Sequence, residues 1–338
     1  MTRNFFLLLS ISGLLFTGCS NDDDVVAPDI TDNAIRFNAS APLAPRSVVT
    51  TDNLDNFRVT AFVAGKKYMD NVLVVKTDNT WNYTPVMYWP ANESVNFFSY
   101  SPDNITQSDA DNGSADIKGF VNNGTTDFLY GVNMNESGET TKMVKVNFRH
   151  ALAQVRFYLK RKAQNPAIRV DVKNVALTQL KSVGDFAFPR TTTAQGSTAY
   201  GTWSGQSVPT DPVLYAGNPV TLTDTGTELN PDSYAFFIPQ KLEQSGESTT
   251  GGALVKVTCA IYHEDTGTQI WPRGTEYADI YFPLNSTATG AQTVSEWQQG
   301  RAYIYNLTIG VPSQTSAIEF DVTVDEYQSF ADADIENR

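Results

Sequence analysis

Cysteine and histidine are nearly missing: two of each in 338 residues. The histidines, His150 and His263, lie far apart, with no HExxH pair and no clustered cysteines, so a zinc site has little to build on. No GxSxG elbow and no glycine-rich phosphate loop occurs, which excludes the common serine-hydrolase and nucleotide-binding designs. Basic residues are also short, 24 Lys and Arg against 37 Asp and Glu. Phosphate backbones need clustered cations, so nucleic acid is excluded as a partner. A surplus of acid suits a surface whose copies repel one another. No stretch after residue 24 keeps apolar residues at helical spacing between capping signals, and no repeat of fixed period occurs. The expectation is a protein without catalysis, cofactor or metal.

What the chain has instead is alternation with period two, the mark of half-buried strands. In "DNFRVTAFV" Phe57, Val59, Ala61 and Val63 share one face, with Arg58 and Thr60 opposite. Val255, Val257, Cys259 and Ile261 line up in "ALVKVTCAIYHE", and Tyr303, Tyr305, Leu307 and Ile309 in "RAYIYNLTIGV". "AIEFDVTVDEY" sets Ile318, Phe320, Val322 and Val324 against Glu319, Asp321, Thr323 and Asp325. Turn-rich segments such as "DNGSAD", "NNGTTD" and "SGESTTGG" separate such runs. Many short strands joined by polar loops predict antiparallel β-sandwiches. "VNFRHALAQVRFYL" joins two alternating runs through "RHALAQ", which places a domain seam near residue 149.

The one long apolar run is at the start, Phe5 to Phe16, with Arg3 before it. At 12 residues it is too short to span a bilayer of about 30 Å and has the length of a signal-peptide core. Thr17 and Gly18 then lead into Cys19, which resembles the lipobox of bacterial lipoproteins; Phe16 is bulkier than the usual aliphatic there. On that reading residues 1–18 are a signal peptide and the Cys19 thiol carries lipid such as palmitate. Several acyl chains hold a protein firmly on a membrane where one does not. Residues 19–33, opening "CSNDDDVVAPD", read as an acidic tether. Ser20 is not the aspartate of inner-membrane retention, and the acid run resembles a surface-export signal, which points to the outer membrane and the cell surface.

Other candidates read as structure. Cys259, on the apolar side of a strand, is expected to be a buried small hydrophobe. His150 beside Arg149 is expected to be a satisfied structural histidine. Asp109, Asp111 and Asp116 around Gly113 hint at calcium, but Phe120 stands where a calcium loop needs its twelfth-position acid. Trp81, Tyr83, Tyr88 and Trp89 could stack on sugars, although aromatic clusters more often fill sandwich cores. Lys160, Arg161 and Lys162 read as a solvated strand edge.

Taken in order, "FRVTAFV", "WNYTPVMYWPANESVNFFSYSP", "TDFLYG", "VNFRHALAQVRFYL", "SYAFFIPQ", "ADIYFPL" and "WQQGRAYIYNLTI" resemble the fimbrillins, the type V pilins of Gram-negative anaerobes. The likeness extends from about residue 34 to 325. It implies an all-β chain of two transthyretin-like antiparallel β-sandwich domains in tandem, residues 34–148 and 149–338. It also implies a lipoprotein precursor, no catalysis, and polymerisation with other fimbrial subunits, identical or paralogous, by strand exchange. A host or bacterial surface ligand is the implied adhesion target. Residues 34–46 are then a removable lead strand, with Ile35, Phe37, Ala39, Ala41 and Leu43 on one side, as a strand filling a groove would have them. Arg46, followed by Ser47, resembles the family's processing arginine in accessible chain. The final strand, with Ile318, Phe320, Val322 and Val324, could donate to a neighbouring subunit. The alternative is a surface lipoprotein that does not polymerise and binds glycans or host protein.

Overall fold

The computed structural model describes residues 33–41, 53–107, 113, 115–164, 166–194, 197–208, 211–228, 235–243, 252–285, 294–312 and 320–326, the last as backbone only. Every regular element among them is a strand. In the first half these are β1 (Phe37–Ser40), β2 (Asn56–Val63), β3 (Lys66–Thr77), β4 (Thr80–Tyr83), β5 (Val95–Ser101), β6 (Ile117–Val121), β7 (Leu129–Glu136), β8 (Val144–Asn147) and β9 (Arg149–His150). There follow β10 (Ala153–Arg161), β11 (Ile168–Thr178), β12 (Val183–Ala187), β13 (Thr202–Ser207), β14 (Val213–Thr221), β15 (Thr227–Glu228) and β16 (Ala235–Phe237). The last are β17 (Gln240–Lys241), β18 (Leu254–His263), β19 (Gln269–Trp271), β20 (Ala278–Pro283), β21 (Glu296–Trp297), β22 (Arg301–Ile309) and β23 (Phe320–Glu326).

Local chemistry sets the hairpins. Ala64 and Gly65 (φ 47° and 76°) join β2 to β3, and Asp78 and Asn79 (φ 48° and 60°) join β3 to β4. Two central residues with positive φ make the tight turn whose twist matches that of the flanking strands. β2 and β3 belong to a six-stranded sheet in the order β4-β3-β2-β5-β7-β9. Two five-stranded sheets follow in the second half, β15-β10-β22-β23 with β16 also on β10, and β14-β11-β18-β19 with β20 also on β18. A three-stranded sheet β13-β12-β6 combines strands from both halves. The described residues from Ala34 onward form one compact unit.

Among the described residues the interior forms three apolar clusters. One draws on residues from Ile35 to Phe148, with Phe57, Val59, Phe97 and Val146 at its centre. The largest draws on Ala153 to Ile309 and includes Val172, Cys259, Trp297 and Tyr305. Between these, Phe62, Phe98, Tyr130 and Leu152 pack with Phe186, Phe188, Phe236 and Ile238.

The expected alternation holds on β18 and β22, where Val255, Val257, Cys259 and Ile261, and Tyr303, Tyr305, Leu307 and Ile309, are buried. Two expectations need correction. On β2 both faces are covered: Phe57, Val59 and Ala61 meet the first cluster, while Thr60 is fully buried and Phe62 joins the middle cluster. Thr60 was expected outward. It is satisfied inside by donating to Gln107 Oε1 at 2.8 Å and accepting from Asn71 N at 3.1 Å. Pairing is also not wholly antiparallel, since β1 with β8 and β10 with β22 run parallel. Parallel neighbours need a long crossover, and here more than a hundred residues intervene in each pair.

Candidate functional site

The lead segment is sewn into the first cluster. Ala34 bridges to Tyr88, and β1 then runs parallel to β8, with Phe37 opposite Val144, Asn38 opposite Lys145 and Ala39 opposite Val146. Side chains alternate as strand geometry requires: Ile35, Phe37, Ala39 and Ala41 are buried, Asn38 is exposed, and Arg36 and Ser40 are half-buried. Phe37 meets the edges of three rings, Tyr83, Phe97 and Phe57, at centroid distances of 5.5, 5.7 and 5.9 Å. Burying Ile35 and Phe37 contributes roughly 1.5–3 kcal/mol each.

The backbone is held at both ends. Ile35 N donates to Met87 O at 2.8 Å, and the Ile35 carbonyl accepts from Tyr83 Oη at 2.8 Å. Tyr83 Oη in turn accepts from Met87 N at 3.2 Å. Burial pushes the Tyr83 phenol above its ordinary range, partly offset by the bond with the Met87 backbone. Val144 N donates to Arg36 O, Phe148 N to Ser40 O, and Ser40 Oγ to Asn147 Oδ1.

β8 has no ladder partner other than β1 among the described strands. Its far side is stitched by side chains: Asn133 Nδ2 donates to Lys145 O at 3.0 Å and Thr193 Oγ1 to Asn147 O at 2.8 Å. It crosses β7 at Gly131, where a Cβ would lie 2.6 Å from Val146 Cγ1. Glycine there permits the close approach. Without β1, the edge of β8 and an apolar slot lined by Phe57, Tyr83 and Phe97 would face water. Such an edge is a template for another strand.

The structure thus brings Ile35, Phe37 and Ala39 together in one groove. Leu43, Arg46, Ser47, Cys19 and Ile318 lie outside the described residues. Phe320, Val322 and Val324 fall on β23, antiparallel to β22 with Phe320 opposite Leu307 and Val324 opposite Tyr303. Among the described strands β23 is the last of its sheet. Sequence reasoning missed the wall of the groove. The alternation of Val144, Val146 and Phe148 was visible, but nothing local identifies Ile35 to Ala41 as its partner, and Tyr83 read as one member of an aromatic cluster.

Of the remaining candidates, Cys259 is fully buried, and burial with nearby Asp279 pushes its thiol up to about 12. His150 and Asp127 are both inaccessible and joined Nδ1 to Oδ1 at 2.8 Å. Trp89 is buried and Trp81 and Tyr83 pack against the first cluster, which leaves Tyr88 exposed. Asp116 accepts from Phe188 N, while Asp109 and Asp111 lie outside the described residues. Among the described residues no group of three or more His, Cys, Asp or Glu could hold a metal. No helix there is long and apolar enough to cross a membrane. Arg161 pairs with Glu264 and donates to Ile168 O, holding the end of β10.

A family model described as fimbrillin-like matches residues 46–326. Among solved structures, a fimbrial protein from Bacteroides vulgatus superposes with a TM-score of 0.57 at 16% identity, covering 87% of this chain and 99% of its own. That likeness is one of fold. A putative cell adhesion protein from Bacteroides uniformis (14% identity, TM-score 0.45, 88% and 99% covered) is also similar. So is a fimbrilin from Porphyromonas gingivalis (12%, 0.42, 87% and 97%). No curated protein matches in sequence.

Proposed function

Because the chain belongs to the fimbrillin-like family, we propose that it is a structural subunit or minor component of a cell-surface fimbrium, a type V pilus that supports adhesion. It acts as scaffold and not as an enzyme, and its partners are other fimbrial subunits, not nucleic acid. The observation that carries the reading is the seat of β1. A short strand, joined to the rest by one parallel ladder, fills the core of residues 34–148 with Ile35, Phe37, Ala39 and Ala41. A segment packed in this way can be replaced by one from another molecule that offers the same alternation.

The precursor is secreted on residues 1–18, lipidated at Cys19 and carried on the acidic tether 19–33 to the outer membrane and its surface. Cleavage after Arg46 makes Ser47 the new terminus, detaches the subunit from its lipid and frees the groove. A neighbour's terminal strand, with Ile318, Phe320, Val322 and Val324, then takes the place of Ile35, Phe37 and Ala39, and Leu43 leaves with the lead strand. Head-to-tail contacts of that kind do not close, so they grow filaments. Two sandwich domains, 34–148 and 149–338, fit the separation of the first and largest apolar clusters on either side of residue 149.

Electron microscopy of cells producing Arg46→Ala tests the reading. It should leave a lipid-bound monomer, whereas Arg36→Ala, inside the paired strand, should still polymerise. Normal fibres from the Arg46 variant, or fibres whose subunits begin at Cys19, would overturn the mechanism. Diffuse surface label on cells producing the unaltered chain would favour a lipoprotein that does not polymerise.

A further inference from the structure

The eight residues that enter the groove have a near-copy at the other end of the chain. Residues 34–41 read "AIRFNASA" and residues 317–324 read "AIEFDVTV". Ala, Ile and Phe are identical at matching positions. Asn38 corresponds to Asp321, Ser40 to Thr323, and the two small apolar residues Ala39 and Ala41 to Val322 and Val324. Mere alternation asks only for some apolar residue at every second place. The copy is narrower than that. It repeats the isoleucine at the position of Ile35 and the phenylalanine at the position whose site is built from the edges of Phe57, Tyr83 and Phe97.

We propose that the groove is selective for this chain's own terminal segment: residues 317–324 of a second copy enter it parallel to β8, with Ile318 in the place of Ile35 and Phe320 in the place of Phe37. The inference rests on the strand-exchange reading above and adds to it the partner, the direction and the register. The backbone contacts available to a newcomer do not depend on sequence: Met87 O and Tyr83 Oη for the residue in Ile35's place, and the β8 groups from Val144 to Phe148 beyond it. Selection therefore falls on the side chains. A shift by one residue would turn every apolar side chain outward, and a shift by two would put Phe320 where Ile35 or Ala39 sits. One register satisfies the phenylalanine site. The two valines also make the newcomer a better strand former than the alanines it replaces, which suits a lead segment that must leave. A groove that accepts the chain's own end makes the chain a repeating subunit able to extend a homopolymer.

Disulfide trapping reads the register. Asn38 lies opposite Lys145, both exposed, so the proposal puts Asp321 of a second copy opposite Lys145. In the full-length chain carrying Cys259→Ala, the pair Lys145→Cys and Asp321→Cys should give fibres that run as a covalent ladder without reductant and as monomer with it. Neighbouring strand positions fall within the Cα separation a disulfide needs. Lys145→Cys with Glu319→Cys, or with Thr323→Cys, should yield at least tenfold less ladder. Fibres whose ladder appears with Glu319→Cys or Thr323→Cys, or with none of the three, would overturn the register while leaving strand exchange standing. If the reduced variants and the unaltered chain alike form no fibres, strand exchange falls and this inference with it.

Discussion

The phenol of Tyr83 donates to the backbone carbonyl of Ile35, a 2.8 Å bond between residues 48 apart in the chain. It is a clamp made by a side chain on the main chain of the lead segment, so it holds any residue that occupies that place. Tyr83→Phe keeps the ring against Phe37 and removes the clamp. A net hydrogen bond is worth about 1 kcal/mol, so amide exchange at Ile35 to Phe37 should quicken about fivefold. Unchanged exchange there would show that the ladder with β8 alone retains the strand.

The same phenol gives a pH dependence of known sign. Burial raises its pKa above that of an exposed tyrosine. A group raised on folding stabilises fully below its unfolded value, about 10, and loses that contribution as pH rises through the folded value. Retention of the lead strand should therefore be flat through neutrality and fall only in strong alkali, and the alkaline fall should be smaller in Tyr83→Phe. Protection factors at Ile35 to Phe37, the base-catalysed intrinsic rate divided by the exchange rate at each pH, would reveal a contrary trend between pH 7 and 11.

Phe37→Ala should be the costliest single change in the lead segment. It leaves a hole among three ring edges, and core Phe→Ala changes cost about 3–5 kcal/mol. Denaturant unfolding of the chain, followed by its tryptophan emission, should show that loss. Ala39→Gly removes far less buried surface and should cost about 1 kcal/mol. Equal losses would mean that the phenylalanine site contributes nothing special.

Gly131→Ala tests the crossing of β7 and β8. The added Cβ would sit 2.6 Å from Val146 Cγ1 and 3.4 Å from Asn147 O, and valine has no flexible end to yield. Overpacking of this kind costs about 1–3 kcal/mol. The strain should be relieved by displacement of β8, so the melting temperature should fall and β1 should exchange faster. A variant as stable as the parent would show that β8 can move freely.

Cys259 should be inert until the chain unfolds. It is buried between Val257 and Ile261, and its pKa of about 12 leaves no thiolate at neutral pH. A bulky thiol reagent should label it only in denaturant. Cys259→Ala should cost roughly 1 kcal/mol and leave assembly intact. Rapid labelling of the native protein would refute its burial.

Much of the all-strand architecture was legible because alternation is local. Cys259 and its neighbours, or Tyr303 to Ile309, announce their buried face within nine residues. The groove was legible only in part. Ile35, Phe37 and Ala39 show the pattern of a strand, but their partner β8 begins 107 residues after Phe37, and no short-range rule spans that distance. Thr60 shows a second limit. Its polarity argued for solvent, while the middle cluster, built by Phe186 and Phe236 from the far half of the chain, covers that side of the sheet. The pairing of His150 with Asp127 is invisible for the same reason, since two residues 23 apart meet only through the turn of β7 onto β9.

The parallel ladder of β10 and β22 gives the second half of the chain a mechanical grain. Eight residues from Gln154 to Arg161 lie in unbroken register with Ala302 to Ile309. Because the two strands point the same way, a pull on the chain entering β10 and a pull on the chain leaving β22 act at opposite ends of the ladder. The load then falls on all its hydrogen bonds at once, in shear, and does not peel them apart one after another as in a hairpin. The long stretch from β11 to β21 hangs between the two strands as a closed loop and carries none of the tension until the ladder fails. A molecule pulled by handles at Ala153 and Ile309 should give in one large step at high force.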